Sequence, residues 1–93
     1  MAGDAKSAVN KALGNEVRVW RTRRGLSRDA LAEKTGLQRT QLARIENNER
    51  DISLSQLFQI AWALDVEPER VVRDAVEANG GMEALVVEDA ADE

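Results

Sequence analysis

Apolar residues recur along this chain at spacings of three and four, which is the period of an α-helix, and β-branched residues form no alternating runs. The pattern predicts five helices. The first covers about residues 8–24 and places Leu13, Val17 and Trp20 on one side. Gly25 follows it, and glycine tolerates the left-handed backbone that ends many helices.

The second and third predicted helices are short and lie on either side of a glycine turn. The second covers 28–35 behind a serine N-cap, with Gly36 as its left-handed stop. The third covers about 39–47. Two short helices around such a turn are typical of a helix-turn-helix. The even spacing of Gly14, Gly25 and Gly36 is interpreted as chance combined with glycines that end helices.

The fourth predicted helix opens with Ser53-Leu54-Ser55-Gln56, the pattern of a capping box. The apolar residues assigned to one side of this helix are Leu54, Leu57, Phe58, Ala61 and Leu64. The fifth helix begins at Pro68, which suits a first helical position, and ends at Asn79-Gly80-Gly81. A short acidic tail follows. Its Leu85-Val86-Val87 triplet extends the helical packing, pairs as a strand across a dimer or stays loose, and residues 88–93 are expected to fray.

Three aromatic side chains have predicted positions. Trp20 and Phe58 lie on apolar stripes and are assigned to the core, whereas Trp62 lies off its stripe and is predicted to be partly exposed. On the third helix, Leu42 and Ile45 define the buried side.

The composition of the chain excludes most kinds of catalytic site and metal site. The chain has no Cys and no His, so it has no disulfide, no Cys/His zinc site and no imidazole base. Ser27 lacks a His to activate it, the carboxylates of 67–77 lack the spacing of a calcium loop, and no phosphate-binding glycine loop is present. We therefore predict no enzymatic activity, metal or cofactor.

The sequence also bears on the location of the protein. No apolar run is nearly long enough to span a membrane, and the first 14 residues lack the apolar core of a signal peptide. We therefore expect a cytoplasmic protein.

Charge divides the chain into two unlike halves. The net charge is −4, but residues 1–50 carry +5 and residues 51–93 carry −9. Such a division is equally consistent with a basic half that contacts a polyanion and with a dipolar but inert surface.

The outward face of the third helix has side chains that suit nucleic-acid bases. On a helical wheel that face and its flanks carry Arg39, Thr40, Gln41, Ala43, Arg44 and Asn47. Arg can form two hydrogen bonds with guanine, Gln or Asn can form two with adenine, and Thr or Ala can contact the methyl group of thymine. A solvated face would ordinarily include carboxylates, so their absence in a chain with 17 of them favours DNA binding.

Residues 13–72 resemble the Cro/C1-type helix-turn-helix family of phage repressors and bacterial regulators, also called the XRE family. The positions in register are Arg21, Gly25-Leu26-Ser27, Leu31-Ala32, Gly36, Ile45-Glu46, Leu57, Ala61, Ala63-Leu64 and Val66. The resemblance implies an all-α, lambda-repressor-like five-helix DNA-binding domain over 8–78, with the acidic C-terminal tail at 79–93. It also implies a sequence-specific transcriptional regulator that binds a palindromic operator on double-stranded DNA as a homodimer. We predict a repressor, although the sequence does not distinguish repression from activation.

The resemblance also assigns roles to residues. It assigns base contacts to Gln38, Arg39, Thr40, Gln41 and Arg44. It assigns phosphate contacts to Ser27, Arg28, Asn47, Asn48 and Arg50. Relatives often have a glycine and basic residues after the position of Asn47, whereas this chain has Asn48, Glu49 and Asp51, and the two carboxylates weaken phosphate attraction around Arg50. Arg21 and Glu46 are expected to form a structural pair.

Two other functions stay open beside the regulator. An antitoxin would repress its own operon and bind a toxin through an appended C-terminal segment. A protein–protein interaction module would have kept the bundle and lost DNA binding. In relatives the dimer contact lies around the fourth and fifth helices, which makes Trp62 a candidate anchor.

Overall fold

The computed structural model describes residues 7–91, and this part of the chain is entirely helical apart from its turns. Its helices are α1 (Ala8–Arg23), α2 (Arg28–Thr35), α3 (Arg39–Glu46), α4 (Leu54–Ala63), α5 (Pro68–Ala78) and α6 (Met82–Ala91). The predicted all-α class and its five helices are confirmed. The sixth helix occupies the segment predicted as a tail and continues to Ala91, where fraying was expected. Asp92 and Glu93 lie outside the described residues.

The local signals that predicted the helix ends act as expected. Gly36 has φ +80° at the end of α2. At the start of α4, the Ser53 hydroxyl accepts a hydrogen bond from the Gln56 amide at 3.0 Å. The Gln56 side-chain oxygen accepts one from the Ser53 amide at 2.9 Å. This reciprocal capping box fixes where α4 begins.

The main core lies between the helix-turn-helix and helices α1, α4 and α5. Its buried members are Val17, Trp20, Leu31, Ala32, Leu42, Leu57, Ile60, Ala61, Ala63, Leu64 and Val71. Trp20 is 7% exposed, as predicted for a core residue, and Leu42 and Ile45 are buried. This side of α3 therefore faces inward, which leaves its opposite side for solvent.

The predicted burial of Phe58 is wrong. Its side chain is 57% exposed, and Leu54 of the same stripe is 70% exposed. The buried side of α4 is centred on Leu57, Ile60 and Ala61 instead. Phe58 follows Leu57 by one residue, a rotation of about 100°, which carries its ring out of the core. The predicted exposure of Trp62 is confirmed at 76%.

Helix α6 packs on a second, smaller core. Leu85 is buried with Ala8, Ala12 and Ala75, and this cluster joins α6 to α1 and α5. Of the three arrangements open for the Leu85-Val86-Val87 triplet, the structure has the helix. Leu85 packs on the core, whereas Val86 and Val87 are more than half exposed. The boundary between 8–78 and 79–93 stays a prediction. In residues 7–91, no helix combines the length and the apolar character that crossing a membrane requires.

Gly14 lies in the middle of α1 and does not punctuate a helix, so that interpretation of this glycine is wrong. The residue is buried against the end of α3. A Cβ atom added at Gly14 would lie 2.3 Å from the backbone oxygen of Ile45. A glycine is therefore needed for the close approach of α1 to the end of α3.

We expect Gly14→Ala to destabilise the protein, although alanine favours helix by about 1 kcal/mol. The added methyl group must displace backbone, and overpacking of this kind costs about 1–3 kcal/mol. Urea denaturation measures the difference. Asn15→Ala, on the exposed side of the same helix, is the control and should not lower stability. A Gly14→Ala protein as stable as this control would contradict the close helix contact.

Candidate nucleic-acid interface

The turn between α2 and α3 is held by side-chain hydrogen bonds as well as by Gly36. The Thr35 hydroxyl donates to the Leu31 carbonyl at 2.9 Å and accepts from the Leu37 amide at 3.2 Å. Leu31 and Leu42 are buried on either side of the turn. These contacts fix the direction in which α3 leaves α2.

The five residues predicted to contact bases lie together at the N-terminal end and outer side of α3. Gln38, Arg39, Thr40 and Arg44 are exposed, and Gln41 is half-buried. The Gln41 side-chain oxygen accepts a hydrogen bond from the Gln38 amide at 3.0 Å, which caps the helix. The structure thus brings all five to one surface, with Gln41 engaged in a cap.

An ion pair links this surface to α2. The Arg39 Nε atom lies 2.7 Å from an Asp29 carboxylate oxygen, and both side chains are largely exposed. The closest approach to Asp29 is through the Nε atom of Arg39. The pair was not predicted from the residues of α3, because Asp29 comes from the neighbouring helix α2.

A buried carboxylate lies behind the surface. Glu46 is 0% exposed, and the predicted pair with Arg21 is confirmed as a two-pronged contact at 2.7 and 2.9 Å. Arg28 Nε donates to the same carboxylate at 3.0 Å. Burial raises the pKa of Glu46, but hydrogen bonds from Arg21 and Arg28 outweigh it and hold the pKa below its ordinary value. The hydrogen bond to Glu46 raises the pKa of Arg21 despite burial.

A third arginine, Arg18 of α1, also contacts Glu46. It was not among the site residues predicted from the sequence. The Arg18 Nε atom lies 3.7 Å from the Glu46 carboxylate. Its terminal nitrogen donates to the Glu46 backbone carbonyl at 3.0 Å and to the Asn47 side-chain oxygen at 2.9 Å. Spacing along the sequence gives no signal for this contact, because 28 residues separate Arg18 from Glu46.

Three of the predicted phosphate-contacting residues lie near one another. Ser27 caps α2 by accepting a hydrogen bond from the Ala30 amide at 3.0 Å. Arg28 follows it and reaches the Asn47 side-chain oxygen at 3.4 Å, beyond its bond to Glu46. The structure therefore joins the start of α2 to the end of α3 through side chains.

The other two predicted phosphate-contacting residues lie in the loop after α3. Asn48 has φ +64°, a left-handed conformation that explains why relatives often have glycine there, since asparagine also tolerates it. The Asn48 side-chain oxygen is buried and has no hydrogen-bond partner among the described residues. Arg50 is exposed beside Glu49 and Asp51.

Comparisons with known proteins agree with this geometry. The sequence model of the helix-turn-helix family matches residues 17–71, which is more than half of the chain. The control protein C.SmaI from Serratia marcescens is 34% identical over 74 residues, which cover 78% of this chain and 88% of that protein.

Solved structures show the same relationship. The restriction-modification controller protein C.AhdI from Aeromonas hydrophila is 35% identical, with a TM-score of 0.64 over 67% of this chain and 94% of that one. The clp gene regulator ClgR from Corynebacterium glutamicum has a TM-score of 0.73 over 75% of this chain and 91% of that one. At 24% identity, ClgR supports the fold alone.

The fold and the exposed side of α3 define a helix-turn-helix DNA-binding protein. The chain belongs to the Cro/C1-type, or XRE, helix-turn-helix family of transcription regulators, which confirms the resemblance found in the sequence.

Proposed function

We propose that this protein represses transcription by binding a palindromic operator as a homodimer, with α3 in the major groove. The observation that carries the proposal is the outer side of α3. It exposes Arg39, Thr40 and Arg44, while the only carboxylate of the helix, Glu46, is turned into the protein and neutralised. These exposed side chains present donors and methyl groups to base edges without repelling the phosphates.

Helix α2 supplies the phosphate contact that positions α3. Arg28 lies at the first position of α2, at the positive end of the helix dipole. Its guanidinium already lies beside Asn47 at the end of α3. A phosphate bound there would fix α3 relative to the groove, because phosphate contacts set the register from which base contacts read sequence.

An exposed apolar stripe on α4 supports the homodimer. Leu54, Phe58 and Trp62 follow one another at every fourth residue and are 70%, 57% and 76% exposed. Ser55 and Gln59, which lie beside them, carry no charge, and Lys34 of α2 lies at the edge near Phe58 and Trp62. A twofold dimer brings like surfaces together, so an apolar stripe can pack on its own copy.

Trp62→Glu should convert the dimer to a monomer at micromolar concentration. Loss of a central aromatic anchor costs about 2 kcal/mol or more, which weakens association at least about 30-fold. The fold should survive, since the side chain is mostly exposed. Light scattering gives the mass, and Met82→Glu, at an apolar residue 69% exposed on α6, is the control. An unchanged dimer for Trp62→Glu would contradict this interface.

The DNA upstream of the protein's own gene tests the regulator against both alternatives. We expect a gel shift that resists competitor DNA and reduced expression of a reporter placed behind that DNA. A protein–protein module would give no shift. An antitoxin would also bind DNA but would require a toxin partner; here Leu85 of the C-terminal segment packs on the chain's own α1 and α5.

Control of a restriction–modification system is the more specific role that the relatives favour. Two proteins that are 34% and 35% identical to this chain, C.SmaI and C.AhdI, are named as control or controller proteins, the second explicitly of restriction–modification. If this role holds, bound sites in the genome will lie upstream of a methyltransferase or restriction endonuclease gene. Sites confined to other genes would refute it and leave the DNA-binding proposal intact.

The proposal requires no catalytic residue, metal or cofactor. Operator binding depends on the side chains of α2 and α3 and on the dimer. The proposal also implies that the protein acts in the cytoplasm, together with the DNA that it binds.

A further inference from the structure

We infer that Arg18 of α1 binds a DNA phosphate, as one member of a phosphate clamp formed by Arg18, Arg28 and Asn47. The inference rests on the proposed DNA binding and extends the interface to a helix that the helix-turn-helix does not include. The clamp is already assembled in the protein without DNA.

The charges around Glu46 do not balance. One buried carboxylate faces the guanidinium groups of Arg18, Arg21 and Arg28. Arg21 donates a hydrogen bond to each oxygen of the carboxylate, and its side chain is only 15% exposed. Two positive charges are therefore left over, and they lie on the more exposed side chains, Arg18 at 45% and Arg28 at 27%.

Hydrogen bonding inside the clamp leaves several of its donors unused. The Asn47 side-chain oxygen is the acceptor for both Arg18 at 2.9 Å and Arg28 at 3.4 Å. These bonds and those to Glu46 use one terminal nitrogen of Arg18, and Nε and one terminal nitrogen of Arg28. The second terminal nitrogen of each arginine and the side-chain nitrogen of Asn47 take no part in them, and phosphate oxygens accept charge-assisted hydrogen bonds from such groups.

The position of Arg18 is fixed before DNA arrives. Its terminal nitrogen bonds the Glu46 carbonyl at the end of α3, 3.0 Å away, and the close approach of α1 and α3 at Gly14 holds the two helices together. A side chain held in its binding geometry loses less conformational freedom on binding. Glu46 acts as a positioning residue for Arg18 and Arg28, because both side chains converge on it.

A purely structural role for Arg18, as a cap on the last turn of α3, makes a different prediction. Losing a cap lowers the melting temperature without changing how binding depends on salt. Losing a phosphate contact lowers the slope of log K against log salt concentration by about 0.9 for each contact. The salt slope therefore separates the two roles.

The experiment compares four versions of the 93-residue chain on operator DNA and on unrelated DNA at several KCl concentrations. They are the unaltered protein, Arg18→Gln, Arg18→Lys and Arg73→Gln, the last losing the same charge at an exposed position on α5. We expect Arg18→Gln to bind both DNAs about tenfold more weakly and to lose about 0.9 of salt slope per subunit. Arg18→Lys should keep most of the slope, and Arg73→Gln should keep all of it.

A salt slope for Arg18→Gln equal to that of Arg73→Gln would overturn the inference. The NMR signal of the Arg18 Nε–H group in the unaltered protein gives a second measurement that does not depend on a variant folding. It should shift when operator DNA is added, and an unmoved signal would also overturn the clamp. If the unaltered protein binds no DNA, the proposed function fails and the clamp fails with it.

Discussion

Glu46→Ala should lower the free energy of unfolding by up to about 3–5 kcal/mol, because it leaves the partly buried arginines without their counter-ion. The carboxylate is 0% exposed and receives hydrogen bonds from two guanidinium groups. A domain of this size has about 5–14 kcal/mol of total stability, so this single change removes a large part of it.

Arg21→Ala should cost less than Glu46→Ala. Without Arg21, the carboxylate keeps Arg28 at 3.0 Å and Arg18 nearby, although the Arg21 bond to the Leu26 carbonyl is also lost. Urea denaturation of both variants measures the order of the two losses. Glu49→Ala, an exposed glutamate in the next loop, is the matched control. Equal stability of Glu46→Ala and Glu49→Ala would contradict the buried cluster.

Acid should remove the difference between the unaltered protein and Glu46→Ala. The pKa of Glu46 is raised by burial and lowered more strongly by the Arg21 and Arg28 hydrogen bonds, so its net shift is downward. A carboxyl group with a lowered pKa in the folded state stabilises the protein above its unfolded pKa, near 4.5. This contribution is lost as pH falls below 4.5 and through the lower folded value.

Arg39→Ala should cost about 1–3 kcal/mol of binding free energy per half-site on the operator and relax the preference at one base pair. Arg39 is exposed at the N-terminal end of α3, the end that enters the major groove in helix-turn-helix proteins. Asp29 lies closest to its Nε atom, and the largely exposed guanidinium group can donate two parallel hydrogen bonds to guanine O6 and N7. Binding to unrelated DNA should fall much less.

The measurement uses operators that carry every single base change, with Arg44→Ala as the comparison. Arg44 is exposed one turn further along α3, so its loss should be milder or less selective. If Arg39→Ala weakens binding to all variants equally, Arg39 is a phosphate contact and not the reading residue.

Local chemistry made the helix ends and the outer side of α3 predictable. The Ser53 and Gln56 capping box depends on residues three apart, and the left-handed turn at Gly36 depends on glycine alone. The side of α3 that carries Arg39 and Arg44 follows from the burial of Leu42, because a helix has one fixed period.

Contacts between distant helices were not predictable from spacing. Apolar residues of α4 cover more than one side of the helix, so the sequence could not decide whether Leu57 or Phe58 lies toward the core. Arg18 and Gly14 acquire their roles only when α1 is packed on the end of α3. The second core, around Leu85, likewise depends on residues far apart in the chain.

Selection of bound sequences from random DNA tests the central claim most directly, because the bound sequences themselves reveal the operator. We expect the enriched sequences to contain an inverted repeat whose half-sites lie about one helical turn apart, as a twofold dimer with α3 in successive major grooves requires. At least one guanine in each half-site should lose its enrichment with Arg39→Ala. Recovery of no common sequence by the folded, dimeric protein would contradict sequence-specific DNA binding.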